Sequence, residues 1–242
     1  MQRKIITIED PIEYQLHGIN QIQISRKAGL TFASGLRSIL RHDPDVVLVG
    51  EIRDAETADI AIQASLTGHL VFSTLHTNDA PTALTRLVDM GIEPYLVASS
   101  LEAIIAQRLV RVICPHCKEQ LSMSEVKPLR QRFGDVLPGS LYKGQGCTHC
   151  KGTGYRGRIG IFEMMIVTDD VRSLILENAS ARDLRRAAAR HGTTSLREDG
   201  FRHLREGRTT IEEILRVTKD DTFSVGSPQD DEKPLTDAAR EG

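Results

Sequence analysis

The chain has 242 residues, 40% of them hydrophobic and 26% charged, with a formal net charge of −2. That balance suits one or two globular domains and excludes the strong basic excess of a nucleic-acid-binding protein. No apolar run approaches the roughly 20 residues that span a bilayer, and the opening segment is too short for a signal peptide, so a cytoplasmic setting is expected.

Lys4 to Ile8 is β-rich and is stopped by Glu9-Asp10-Pro11, which predicts a strand; Gln21 to Ile24 predicts a short second one. Thr31 to Leu40 has helical spacing through Phe32, Leu36, Ile39 and Leu40. Val46 to Val49 is a four-residue apolar run, the mark of a strand buried on both faces. Ala55 to Leu66 predicts a helix, Leu70 to Leu75 another buried strand, and Ala80 to Met90 another helix. Such alternation implies βαβ units, an α/β fold and a parallel sheet. Ser99 to Val112 predicts a further apolar helix that ends at the first cysteine pair.

From Cys114 to Tyr155 the composition shifts to Gly, Cys and charge, and Lys118 to Lys143 reads as an insertion between the cysteine pairs. After Gly160 the chain is expected to be helical. Ser180 can cap a helix that stops at Gly192, and Thr210-Ile211-Glu212-Glu213 fits a capping box opening a last helix, Ile211 to Val217. Lys219 to Gly242 holds seven acidic and three basic residues and little to pack, which predicts disorder. The expected domains are a nucleotide-binding core over 1–112, a cysteine module over 113–160, a helical subdomain over 161–218 and an acidic tail over 219–242.

In an open α/β sheet ligands sit at the carboxyl ends of the strands, so each strand's exit is a test of function. The first exits into Glu9-Asp10. The second exits into Gly50-Glu51, followed by Arg53-Asp54. The third exits through Thr74 into His76-Thr77-Asn78. Carboxylates, a hydroxyl and an imidazole at one edge suit the holding of Mg²⁺ and a water against a phosphate, where catalysis is mainly positioning and charge stabilisation. His69 and His76 bracket the third strand and lie roughly 23 Å apart in an extended chain, so both cannot touch one phosphate. His76, at the carboxyl end, is the expected γ-phosphate sensor, with Thr74 as its helper. His69 is expected to be structural.

The Cys114-Pro-His-Cys117 and Cys147-Thr-His-Cys150 pairs are separated by 29 residues. Each Cys-x-x-Cys turn points two sulfurs inward, and two such pairs close a tetrahedral Zn²⁺ site. With no fifth ligand and no open position, that zinc is expected to be structural, and His116 and His149 are not expected to be ligands. Cys147 to Gly154 also fits one zinc element of the DnaJ-type chaperones, but the first pair lacks the glycines that element repeats.

Several stretches resemble the secretion and pilus-assembly ATPases. Ile6-Thr-Ile-Glu-Asp-Pro-Ile-Glu-Tyr14 resembles their aspartate box, and Leu36 through Asp54 their atypical Walker B segment. Gly68 through Asn78 is similar to their histidine box. Gln107 to Arg111, Gly154 to Glu163 and Ser195 to Gly200 match as well, so the likeness covers about residues 4–218.

The resemblance implies a RecA-like P-loop NTPase sheet and a motor that couples ATP hydrolysis to assembly of a type II secretion pseudopilus or a type IV pilus. The cysteines favour this assembly branch over the retraction branch. It further implies a homo-hexameric ring, inner-membrane platform and cytoplasmic partner proteins, and no nucleic acid. Glu51 then works with Mg²⁺ and the attacking water, with Glu9 as the second carboxylate; which of them takes the proton stays open. Asp10 belongs to the same Mg²⁺ and nucleotide site, and Arg37, Arg41 or Arg53 is expected to reach the next subunit's phosphate. No Gly-x-x-x-x-Gly-Lys-Ser/Thr loop occurs in the 242 residues, so the chain reads as truncated and inactive alone. The alternative is a non-catalytic zinc-bearing interaction fragment of such a motor.

Overall fold

The structure is a computed structural model that describes residues 3–218, so the expected acidic tail lies outside the described residues. It opens with strands β1 (Ile5–Glu9) and β2 (Asn20–Gln23), helix α1 (Phe32–Leu40), β3 (Val46–Val49), α2 (Ala55–Leu66), β4 (Leu70–Ser73) and α3 (Ala80–Asp89). Next come α4 (Pro94–Ser100), β5 (Ala103–Ile113), β6 (Lys118–Gln120), α5 (Met123–Phe133), β7 (Tyr142–Gly144) and β8 (Tyr155–Ile166). Helices α6 (Asp169–Leu176), α7 (Ala181–Arg190), α8 (Leu196–Arg205) and α9 (Ile211–Val217) close it. Among the described residues no helix is long and apolar enough to cross a membrane.

The first four strands form one parallel sheet in the order β2-β1-β3-β4. Helices α1, α2 and α3 begin where the sequence places polar caps. Thr31, Asp54 and Asp79 each accept a backbone N–H of their helix's first turn. Ile8, Leu36, Ile39, Val47 and Val49 are fully buried and make the centre of the main apolar cluster. β4 departs from its expected burial on both faces, because Leu70 and Phe72 are exposed.

The expected helix over Ser99–Val112 is instead the end of α4 followed by strand β5, and the chain after Gly160 continues as strand rather than helix. β5 and β8 pair antiparallel along almost their whole length, from Ala103↔Ile166 to Ile113↔Tyr155. Their inward residues Val110, Ile161 and Met165 are buried, while Ile105, Leu109, Phe162, Met164 and Ile166 face outward. An outward face that is itself apolar erases the two-residue alternation, and the stretch then resembles a helix in sequence. The hairpin also ties the chain together: Met165, Val167, Val171, Ile175 and Leu184 belong to the same cluster as the parallel sheet.

The expected capping box at Thr210 is only half made. Thr210 accepts from the Glu213 N–H, but the Glu213 carboxylate turns away from it. It accepts from the Arg111 N–H and guanidinium at 2.9 and 2.7 Å, and from Arg216 at 2.8 Å. Burial raises the Glu213 carboxyl's pKa, but hydrogen bonds from Arg216 and Arg111 outweigh it and hold the value at about 2. A carboxyl whose folded pKa lies below its unfolded one contributes stability that is full above about 4.5 and lost as pH falls toward 2. Glu213→Gln should therefore lower stability by about 3 kcal/mol near neutrality. In urea unfolding the gap between the two proteins should stay constant from pH 8 to 5 and shrink below pH 4.5. An unchanged midpoint at pH 7 would remove this anchor between α9 and β5.

Candidate functional site

Because β1, β3 and β4 are adjacent and parallel, their carboxyl ends lie side by side. The register aligns Ile8 with Val49 and Val49 with Ser73, so Glu9, Gly50 and Thr74 follow at neighbouring points on one edge. Backbone bonds continue past the strands: Gly50 N donates to Ile8 O at 2.8 Å and Ile52 N to Thr74 O at 3.0 Å. Gly50 makes this approach possible, since a Cβ there would stand 3.1 Å from Ile8 O and 3.3 Å from Glu9 Cα.

Glu51 is the centre of the edge. It is 8% exposed, and both its oxygens are engaged: Oε1 with Arg53 at 2.5 Å and Oε2 with His76 Nε2 at 2.9 Å. The Arg53 guanidinium holds the Glu51 carboxyl below the usual carboxylate range; burial opposes this and His76 adds to it. Glu51 is therefore an anion at neutral pH. Asp10 adds its field at Arg53 from the exit of β1. Glu9 Oε1 accepts from Thr7 Oγ1 at 2.5 Å and from Gln21 Nε2 at 2.9 Å, which fixes its head beside β2. The Thr74 hydroxyl donates to Gly50 O at 2.7 Å.

The two histidines part as their strand ends require. His76 is exposed at the carboxyl edge, against Glu51. His69 lies at the other end of β4, its Nδ1 3.0 Å from Ala64 O in the turn that ends α2. Arg53 is brought to the edge, but Arg37 and Arg41 are not. Arg37 pairs with Glu56 at 2.7 Å on the outer face of α1, and Arg41 caps that helix's far end beside Ser38.

The four cysteines come together where β5 ends and β8 begins. Their sulfurs all lie within 4.8 Å of one another, with Cys114–Cys147 at 3.9 Å, Cys117–Cys150 at 3.8 Å and Cys147–Cys150 at 3.7 Å. A tetrahedron of sulfurs about 2.3 Å from one centre has edges of about 3.8 Å, so the donor set and its spacing fit a tetrahedral thiophilic ion. Backbone N–H groups of Gly146, Cys147 and Gly154 point at the sulfurs at 3.1 to 3.3 Å. The donors and burial oppose each other: burial pushes the Cys117 thiol up to about 12 despite the Gly146 N–H, whereas the Cys147 and Gly154 N–H groups outweigh burial and bring the Cys150 thiol down to about 6. β6 and β7 pair just outside the knuckles. Gly144 and Gly154 cross in backbone contact, where a Cβ at Gly144 would stand 2.0 Å from Gly154 O. His116 and His149 stack on each other at 3.9 Å, outside the sulfur set.

Residues that pattern reading passed over also gather at this edge. Glu163, 4% exposed on β8, accepts from Ala80 N at 2.9 Å and Leu196 N at 3.2 Å. Arg108 donates to Thr77 O and Arg185 to Asp79, each at 2.9 Å. Glu163 is the one charged residue between Gly160 and Ile166 of β8, but that pattern does not name its partners Ala80 and Leu196.

The family model described as "Type II/IV secretion system protein" matches residues 1–216. "Type II secretion system protein E" of Pseudomonas aeruginosa is 55% identical over 219 residues, which cover 90% of this chain and 43% of that protein. "Type IV pilus assembly ATPase PilB" of Thermus thermophilus is 50% identical over 219 residues, covering 88% of this chain and 24% of that protein. Among solved structures, the pilus retraction motor PilT with bound ADP superposes with a TM-score of 0.65 at 29% identity, covering 91% of this chain and 54% of the other. The chain thus spans less than half the length of these two curated relatives. Family match, relatives and fold agree: the chain belongs to the type II/IV secretion system protein family.

Proposed function

We propose that this chain carries the acidic and histidine half of a motor ATPase site, coupling ATP hydrolysis to assembly of a type II secretion pseudopilus or a type IV pilus. The observation that carries this reading is the buried Glu51 carboxylate held between Arg53 and His76, at the common exit of three adjacent parallel strands. Hydrolysis at this edge needs a phosphate-binding loop, and none of the 242 residues supplies that motif. Glu51, Glu9 and Asp10 are the carboxylates that would hold Mg²⁺, which would neutralise phosphate charge there.

Glu51 orients the attacking water. Each of its oxygens is engaged once, by Arg53 or by His76, and keeps a lone pair to accept from the water. His76 senses the γ-phosphate from the exposed side, with Thr74 fixing the root of its loop to Gly50. In a homo-hexameric ring Arg37 on α1, paired with Glu56, and Arg41 at that helix's C-terminal cap lie away from the chain's own edge and are the arginines to approach the next subunit's phosphate. The four-cysteine cluster holds one structural Zn²⁺, and inner-membrane platform proteins are the partners such a motor engages.

The test uses a chimera in which this chain follows the phosphate-loop half of the Pseudomonas aeruginosa relative. His76→Ala should lower ATP turnover by about 10²-fold, the scale for removing one donor to developing charge. His69→Ala, at the opposite end of β4, should leave it within a factor of about two. Equal losses from the two substitutions would overturn the assignment of the site to the carboxyl edge.

A further inference from the structure

The loop from Thr74 to Asp79, which carries His76, is tied at its two ends to different parts of the molecule. At its start Thr74 donates to Gly50 O at 2.7 Å and accepts from Ile52 N at 3.0 Å, so this end follows the exit of β3. At its far end three side chains of the hairpin and C-terminal helices take hold. Arg108 of β5 donates to Thr77 O at 2.9 Å, Arg185 of α7 pairs with Asp79 at 2.9 Å, and Glu163 of β8 accepts from Ala80 N at 2.9 Å.

Glu163 fixes more than one element. Its other oxygen accepts from Leu196 N at 3.2 Å, so a single buried carboxylate serves the first turns of both α3 and α8. Helix N-termini have unsatisfied N–H groups and favour negative charge, and a carboxylate is an acceptor at both oxygens. Two helix starts joined through one rigid acceptor cannot move apart without leaving a buried N–H unpaired. His76 itself has little packing to hold it, with its side chain 81% exposed, so its place beside Glu51 is set by the loop backbone.

We propose that Glu163, Arg108 and Arg185 are positioning residues that seat the histidine loop on the hairpin and so set the His76–Glu51 contact. Because the hairpin and C-terminal helices share one core with the parallel sheet, loss of any of these side-chain holds displaces the loop and changes that contact. Its catalytic consequence rests on the function proposed above, whereas the tether itself rests on the loop contacts alone.

Two measurements test it. In the 242-residue chain, Arg108→Met should speed amide exchange across Thr74–Ala80 by about tenfold, with Arg130→Met, remote on α5, as the unchanged control. In the chimera, Arg108→Met should lower kcat by about 10–100-fold with KM for ATP unchanged, the size expected when a reacting group is misplaced. If Arg108 acts through His76, the Arg108→Met, His76→Ala double variant should be no slower than His76→Ala alone. Glu163→Gln, which keeps one acceptor and loses the other, should repeat the pattern, and Glu163→Asp should restore part of it. Losses that simply multiply in the double variant, or exchange that Arg108→Met leaves unchanged, would overturn the proposal. Normal turnover of Glu51→Gln in the chimera would instead remove the nucleotide-site reading, with the exchange result still deciding the tether.

Discussion

Replacing Cys114 or Cys150 by serine should take the metal content from one zinc per chain to near zero. Both residues are buried at the meeting point of β5 and β8, and each supplies one vertex of a sulfur cluster with three edges of 3.7 to 3.9 Å and none above 4.8 Å. Structural zinc in small peptides contributes about 10–16 kcal/mol of apparent binding free energy at neutral pH. Around the knuckles there is little apolar area to replace it, since Gly144, Gly146, Gly152 and Gly154 form the crossing backbones.

The damage should be local, and the packing says where it stops. Val126, Phe133, Leu137 and Leu141, from the stretch between the two cysteine pairs, share an apolar cluster with Phe201, Leu204, Ile211 and Ile214 of α8 and α9. That cluster keeps α5 docked when the knuckles open. Amide exchange should therefore rise over 114–121 and 142–155, less over α5, and not in β1, β3 or β4, whose core is a different cluster. Protein purified under reducing conditions without zinc, or with a Cys114–Cys117 disulfide, would sink the structural-metal reading.

The parallel half of the fold was legible in the sequence because its pattern and its environment agree. Val46 to Val49 is β3, Ala55 to Leu66 is α2, and the helices expected over Thr31–Leu40 and Ala80–Met90 are α1 and α3. The β5–β8 hairpin was not legible, for a physical reason. Ile105, Leu109, Phe162 and Met164 face outward while the charged Glu163 faces inward, so the hydrophobic period contradicts the true one. Glu51, Arg53, Thr74 and His76 could be found from strand exits, because a parallel sheet delivers all its carboxyl ends to one edge. Arg108, Arg185 and Glu163 could not, since their partners Thr77, Asp79, Ala80 and Leu196 are neighbours only once the hairpin is folded over the sheet. Glu213 was misread for the same reason: its sequence neighbours suggest a cap, and Arg111, one of the two arginines it meets, is 102 positions away.

Glu51→Gln isolates the charge on which the proposed nucleotide site depends. Glutamine keeps the shape of a side chain that is 8% exposed, so the edge stays packed. What disappears is the anion that Arg53 and His76 hold ionised, and with it the group proposed to orient the water. Loss of such a positioned group costs typically 10²–10⁴-fold in rate. Nucleotide affinity, set mainly by a phosphate-binding loop, should change by less than about 1 kcal/mol, roughly fivefold. The decisive measurement is ATP turnover and ATP binding side by side, for the parent chimera and for Glu51→Gln. The prediction is turnover down by about 10³-fold with binding retained. Turnover equal to the parent's, with binding intact, would contradict the assignment of this edge as the catalytic half of an ATPase site.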